Sequence, residues 1–192
     1  IYALKEMEET SRTSKVLALS IGQTLTTIAG LVSGMIAARL LTKMDYATMK
    51  QTMLAYNFAA PLLMLGLPNA LYYFLPREQN RKRGLLIDNI ILLFIMGMIF
   101  SLFLLLGGTD LLATRFNNPA LNTTLKWMIP YPLYMMPAAI LGAVLLTQNK
   151  TIILAQYNVI SSLIIVSFTI LAIVLTRSYT GPLLVQIYFP LL

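Results

Sequence analysis

The sequence predicts an all-α fold, a polytopic transmembrane helix bundle, and three observations carry that expectation. The chain is 58% hydrophobic and 11% charged, whereas a soluble domain has roughly half its residues apolar and about a quarter charged. Its mean hydropathy of +0.76 leaves too few polar side chains to cover a water-facing surface. The apolar residues also fall in long uncharged runs, several of them sufficient at about 1.5 Å per residue to cross a hydrocarbon core of about 30 Å.

Taken in order, residues 1–14, "IYALKEMEETSRTS", alternate acids and bases without a strong apolar face. They read as a polar cytoplasmic tail, either a short surface helix or a frayed end. Residues 16–41 form the first span. "LTKMDYATMK" is a short polar connection, and residues 51–75 form a second span interrupted by Pro61 and Pro68. The basic stretch "PREQNRKRG" follows. Residues 85–108 are a third span whose polar side chains are Asp88, Asn89 and Ser101, so much of it should face lipid.

Residues 109–126 contain Asp110, Arg115 and the turn signal "NNPA" and read as a polar loop. The fourth span, 127–146, carries Pro130, Pro132 and Pro137 near its start. After "TQNK" comes the fifth, 152–176, and "RSYTG" leads into a partial sixth, 182–192. A chain that starts at Ile1 and stops inside an apolar run reads as a fragment of a longer protein. No signal peptide is visible, since the first apolar run is too long for one.

A net charge of +7 would suggest nucleic acid in a soluble domain. Here the bases sit at the ends of apolar runs rather than on one polar face, so they report membrane orientation, and no nucleic-acid partner is expected. Lys5, Arg12, Lys15, Arg77, Arg81, Lys82, Arg83 and Lys150 fall on one side, against Arg39, Lys43, Lys50, Arg115, Lys126 and Arg177 on the other. The dense cluster places "PREQNRKRG" and the tail in the cytoplasm, with Arg77, Arg81, Lys82 and Arg83 meeting anionic lipid headgroups. Trp127, Tyr131 and Tyr134 then fall near the outer interface, where aromatic rings commonly sit.

Three spans carry a polar or small face. In the first, Ser20, Gln23, Thr24, Thr27, Gly30, Gly34 and Ala38 share one helical side, and "GLVSG" would let another helix approach closely. Gln23 is costly if it faces lipid. Arg39 reads two ways: an arginine snorkelling at the span's end, or a cation at the mouth of an internal cavity, suited to a diphosphate by its paired donors. The second span carries Asn57, Pro61, Met64 and Pro68 at helical spacing, with Tyr56, Asn69, Tyr72 and Tyr73 nearby. The fifth carries Asn158, Ser162, Ile165, Thr169, Ala172 and Thr176. A bundle with a hydrated interior fits this pattern.

Several chemistries are excluded or unsupported. With no Cys and no His there is no disulfide, thiol nucleophile, imidazole base or His/Cys metal site. No GxxxxGK[ST] loop is present, and Asp45, Asp88 and Asp110 are scattered rather than clustered for a metal. The expectation is a protein that is not an enzyme, with no cofactor and no metal.

A span ending "AARLLTKMDYA", followed by one ending "LGLPNALYYFLPRE" before a basic loop, resembles the N-terminal part of the bacterial polysaccharide flippases. These are the O-antigen and teichoic-acid exporters of the multidrug/oligosaccharidyl-lipid/polysaccharide superfamily. The matching positions are Ala38, Arg39 and Leu40, then Asp45 and Tyr46, then Gly66, Leu67, Asn69 and Ala70; Leu41 and Ala47 stand where members often have glycine.

The resemblance implies a two-lobed transporter of about twelve to fourteen helices around a central cavity of alternating access, of which residues 15–192 are most of one lobe. It implies export of a lipid-linked oligosaccharide of polyprenyl diphosphate type across the bacterial cytoplasmic membrane, in contact with membrane lipids and polysaccharide-assembly proteins. It further implies that cationic cavity residues recognise the diphosphate. Candidate cavity residues on this reading are Gln23, Arg39, Asn57, Asn69 and Tyr72. Two alternatives remain: an ion-coupled multidrug exporter of the same superfamily, which would want a membrane-embedded carboxylate where only Asp88 is within a span, and a non-transporting membrane scaffold.

Overall fold

The computed structural model describes residues 2–78 and 81–189. The side chains of Lys5, Arg12 and Lys15, counted above in the charge bias, and residues 190–192 of the sixth span lie outside that description. The helices are α1 (Tyr2–Leu40), α2 (Lys43–Met64), α3 (Leu67–Arg77), α4 (Lys82–Phe103), a π-helical turn (Leu104–Gly108), α5 (Thr109–Arg115), α6 (Ala120–Met128), α7 (Tyr131–Ala138), α8 (Ile140–Thr147), α9 (Thr151–Thr176) and α10 (Thr180–Tyr188).

By length and composition, three helical stretches can cross a membrane: Leu19–Leu40, Lys82–Arg115 and Thr151–Thr176. Two bent pairs, Lys43–Met64 with Leu67–Arg77 and Ala120–Met128 with Tyr131–Thr147, bring the total to five if each pair is one span. The protein is an all-α membrane helix bundle.

The tail and the first span are one helix. Residues 1–21 contain neither Gly nor Pro and include several Glu, Leu, Lys and Ala, all good helix formers, so nothing breaks the helix where the polarity changes. The expected polar connection after it shrinks to residues 41 and 42. Thr42 is the N-cap of α2: its hydroxyl accepts from the Asp45 backbone N–H at 3.1 Å, and the Asp45 carboxylate sits in the first turn where the helix dipole favours it. "LTKMDYATMK" is therefore mostly helix, and Lys50 lies inside it.

Both bends have local causes. Leu65 (φ 48°) and Gly66 (φ 71°) are left-handed, which ends α2, and Pro68 fits the first turn of α3; the two helices meet at 41°. Between α6 and α7 the bend is 52°, where Pro130 and Pro132 cannot donate to the helical ladder. Leu133 N–H turns instead to the Pro130 carbonyl at 3.2 Å, which frees the Ile129 carbonyl.

That freed carbonyl is taken up by α4. Ser101 Oγ donates to it at 2.6 Å. One turn earlier, a Cβ on Gly97 would lie 2.6 Å from the Pro132 carbonyl oxygen, so glycine is what allows α4 and α7 to touch backbone to backbone. Tyr131 packs edge-on against Tyr56 at 4.7 Å and against Tyr134 at 5.5 Å, and the Tyr134 hydroxyl donates to the Ile187 carbonyl. Tyr131 is buried and Tyr134 partly buried against the core, so the proline-broken helix turns both rings inward. Trp127 is partly buried, and its carbonyl accepts from the Tyr188 hydroxyl at 3.1 Å.

The expected loop over 109–126 is also mostly helical. α4 runs into the π turn, where Gly107 leaves helical geometry at φ 112° and kinks the chain before α5; the true loop is 116–119, with Asn117 left-handed at φ 50° and Pro119 at the start of α6. Outward residues of α4, such as Ile91, Phe94 and Ile99, are exposed as a lipid-facing side requires, while Leu93 and Phe100 are buried.

Candidate functional site

The bundle encloses a large open cavity of about 1490 Å3, well above the several hundred Å3 typical of a small-molecule pocket. Its walls come from α1, α2, α7, α8, α9 and α10, with Tyr72 of α3 at one edge. α1 and α9 lie side by side: a Cβ on Gly22 would be 3.4 Å from Ala155 Cβ, an ordinary contact distance. The glycines of "GLVSG" play no such part among the described residues. A Cβ on Gly30 would meet nothing within 4 Å, and one on Gly34 only the Lys50 ammonium at 4.0 Å.

α2 supplies the chemistry. Tyr46, Lys50, Met53 and Asn57 follow one another at helical spacing and all line the cavity, joined by Gln51. Pro61 leaves the Asn57 carbonyl without its helical donor beside the same space. The Lys50 Nζ stands 5.6 Å from the centroid of the Tyr46 ring, a cation–π contact that holds the ammonium against the wall. Lys50 is the one charged side chain lining the cavity among the described residues, and no carboxylate lines it. Across from α2, Asn158 and Ser161 of α9 and Gln186 of α10 contribute further polar groups.

The α1 stripe divides on inspection. Thr24 donates to the Ser20 carbonyl at 2.9 Å, and Thr26 and Thr27 donate to the Gln23 carbonyl at 2.8 and 2.9 Å, so these hydroxyls are spent on their own helix. The Gln23 side-chain amide is not so engaged and lines the cavity.

Of the residues singled out in the sequence, the structure brings Gln23, Asn57 and Tyr72 together on the cavity wall. Arg39 is exposed at the end of α1, and Asn69 is exposed in the first turn of α3; neither lines the cavity. Arg77 stacks on the Tyr73 ring at 3.6 Å, and Arg81, Lys82 and Arg83 are exposed around the start of α4, away from it. Lys50 was missed because a polar connection was read where Thr42 starts a helix. The signal was present in the sequence: stepping back from Asn57 by helical intervals reaches Met53, Lys50 and Tyr46.

Beside the cavity lies a buried polar cluster that joins α2 to the 116–119 loop. Asn118, 4% exposed, donates from Nδ2 to Thr48 Oγ1 at 2.9 Å and to Gln51 Oε1 at 2.7 Å. One turn along, the Thr52 and Thr124 hydroxyls meet at 2.7 Å. Among the described residues no group of His, Cys, Asp and Glu could hold a metal.

A family model described as polysaccharide biosynthesis protein matches residues 13–189. The chain belongs to that family. The match spans every helix that builds the cavity and agrees with the resemblance to the polysaccharide flippases. The protein is thus a membrane protein with a role in polysaccharide synthesis or export. No curated protein and no solved structure matches the chain.

Proposed function

We propose that the protein is a flippase that carries a lipid-linked oligosaccharide across the bacterial cytoplasmic membrane, and that these helices are most of one lobe of a two-lobed transporter. It is a multi-pass transporter rather than an enzyme. The observation that carries the reading is the cavity itself: about 1490 Å3, with a lone ammonium, no carboxylate, and several amides and tyrosines among its described lining residues. A cation held in a partly dehydrated space attracts phosphate more strongly than it would in water. Amides such as Gln23 and Asn57 can exchange hydrogen bonds with sugar hydroxyls, and ring faces such as that of Tyr72 can cover their apolar sides. The polyprenyl tail stays in the bilayer, and Arg77, Arg81, Lys82 and Arg83 lie against anionic headgroups on the cytoplasmic side.

The ion-coupled drug exporter is less well supported, because a cation-carrying cavity calls for an acid and this one has none among its described lining residues; Asp88 is exposed near the start of α4. Glycan export by cells expressing Lys50→Ala tests the proposal. Loss of one charge-assisted contact should lower export at least about tenfold, and normal export at normal protein level would remove Lys50 from the substrate's path.

A further inference from the structure

We propose that Asn118 is a positioning residue: it locks the Gln51 amide with its oxygen turned into the protein, so that the amino end offers two N–H donors to the cavity beside Lys50. This deepens the reading of the cavity as a site for an anionic, acceptor-rich group.

The Thr48 hydroxyl donates its single proton to the Met44 carbonyl at 2.9 Å. Its oxygen can then only accept, so the atom of Asn118 that meets it at 2.9 Å must be the donor, Nδ2. The same Nδ2 lies 2.7 Å from the Gln51 amide, and the atom it meets there must be an acceptor, Oε1. Turning both amides and the hydroxyl around would bury the Asn118 amino group, with its two protons, where Asn118 Oδ1 now lies without a partner. An under-satisfied carbonyl is tolerated more readily than orphaned N–H donors, so the observed sense is the favoured one.

The amino group of Gln51 has no protein partner among the described residues and is not among the buried unpartnered atoms, and the residue lines the cavity. Its donors are therefore open to whatever occupies that space. Asn118 itself does not line it. The anchor is stiff: Asn118 N–H bonds the Ala113 carbonyl at 2.9 Å, and the Asn118 carbonyl accepts from Leu121 N–H at 3.1 Å. A loop between helices thereby sets the polarity of one cavity amide through a residue that never touches the ligand.

The test uses the full-length protein in lipid nanodiscs, with thermal midpoints for Asn118→Ala, Gln51→Ala and the double variant, and inorganic diphosphate as the binding probe. The double variant should lose less thermal stability than the sum of the singles, and additive losses would overturn the inference. Diphosphate should bind about tenfold more weakly to each single variant, with no further loss in the double variant. An Asn118→Ala effect that persists in the Gln51→Ala background also overturns it.

Should Asn118→Ala fail to fold, Gln51→Glu decides. It keeps an acceptor for Asn118 but replaces the donors facing the cavity by an oxygen, so it should fold and lose diphosphate binding; wild-type binding contradicts the proposal. Wild-type protein that binds no diphosphate while the stability cycle still couples the pair removes the anionic-substrate reading and leaves the Asn118–Gln51 lock standing.

Discussion

The crossing of α4 and α7 and the cavity wall along α2 are both built around helix-breaking residues, and they use them in opposite ways. At the crossing, Pro130 and Pro132 free a carbonyl that Ser101 recaptures at 2.6 Å, and Gly97 puts no side chain where a Cβ would meet the Pro132 carbonyl. Along α2, Pro61 frees the Asn57 carbonyl beside an open space of about 1490 Å3, and no side chain among the described residues donates to it. A proline in a membrane helix thus marks either a tight joint or a ligand-facing wall. What separates the two is whether a neighbour supplies a donor and a glycine.

The comparison can be broken most severely at Gly97. A Cβ there would sit 2.6 Å from the Pro132 oxygen, and the obstructing atoms are backbone, which cannot swing aside. Gly97→Ala should destabilise the protein by about 3 kcal/mol or more, and Gly97→Leu should give no folded protein in a detergent melting assay. By contrast, Gly30→Ala, where a Cβ meets nothing within 4 Å, should melt like wild type. If the two alanine variants melt alike, the crossing is not the tight joint described.

Ser101→Ala comes next at the joint. It strands the Ile129 carbonyl and should cost about 1–3 kcal/mol. On the cavity side, Asn57→Ala should leave the stability within about 0.5 kcal/mol of wild type, as for a substitution in open space, but lower glycan export. A stability loss at Asn57 as large as that at Ser101 would erase the distinction between wall and joint.

The smallest effects belong to the exposed cations. Arg39→Ala should change export by less than roughly twofold, since an exposed charge outside the cavity contributes little, whereas the same change at Lys50 should be severe. Arg77→Gln removes a guanidinium stacked at 3.6 Å on Tyr73 and should cost about 0.5–1 kcal/mol in the melting assay. A loss of export at Arg39 equal to that at Lys50 would move the anion site from the cavity to the end of α1.

Much of this architecture was legible because it rests on periodicity. The long apolar runs set the helices, and the polar faces containing Gln23, Asn57 and Asn158 already pointed to an interior space lined by the first, second and fifth spans. What was not legible depends on contacts distant in sequence or on a single cap. Thr42 turned an expected connection into helix and carried Lys50 onto the wall. Nothing local shows that Tyr131 packs on Tyr56 or that the Tyr134 hydroxyl meets the Ile187 carbonyl. Gly97 drew no attention inside a uniformly apolar span, since its role is defined by a carbonyl 35 residues away in sequence. Asn118 looked like turn punctuation, and only the folded chain brings it to Gln51.

The central claim is that the Lys50 ammonium is the charge the cavity offers to an anionic substrate, and it can be tested by restoring that charge chemically. The chain has no cysteine of its own, so Lys50→Cys can be labelled against a clean background in this region. Glycan export by cells carrying Lys50→Cys should be low, should recover after reaction with an aminoethyl thiosulfonate that rebuilds a lysine-like cation, and should stay low after a sulfonatoethyl reagent of similar size. Normal export before labelling, or the same response to the positive and the negative reagent, would contradict the account.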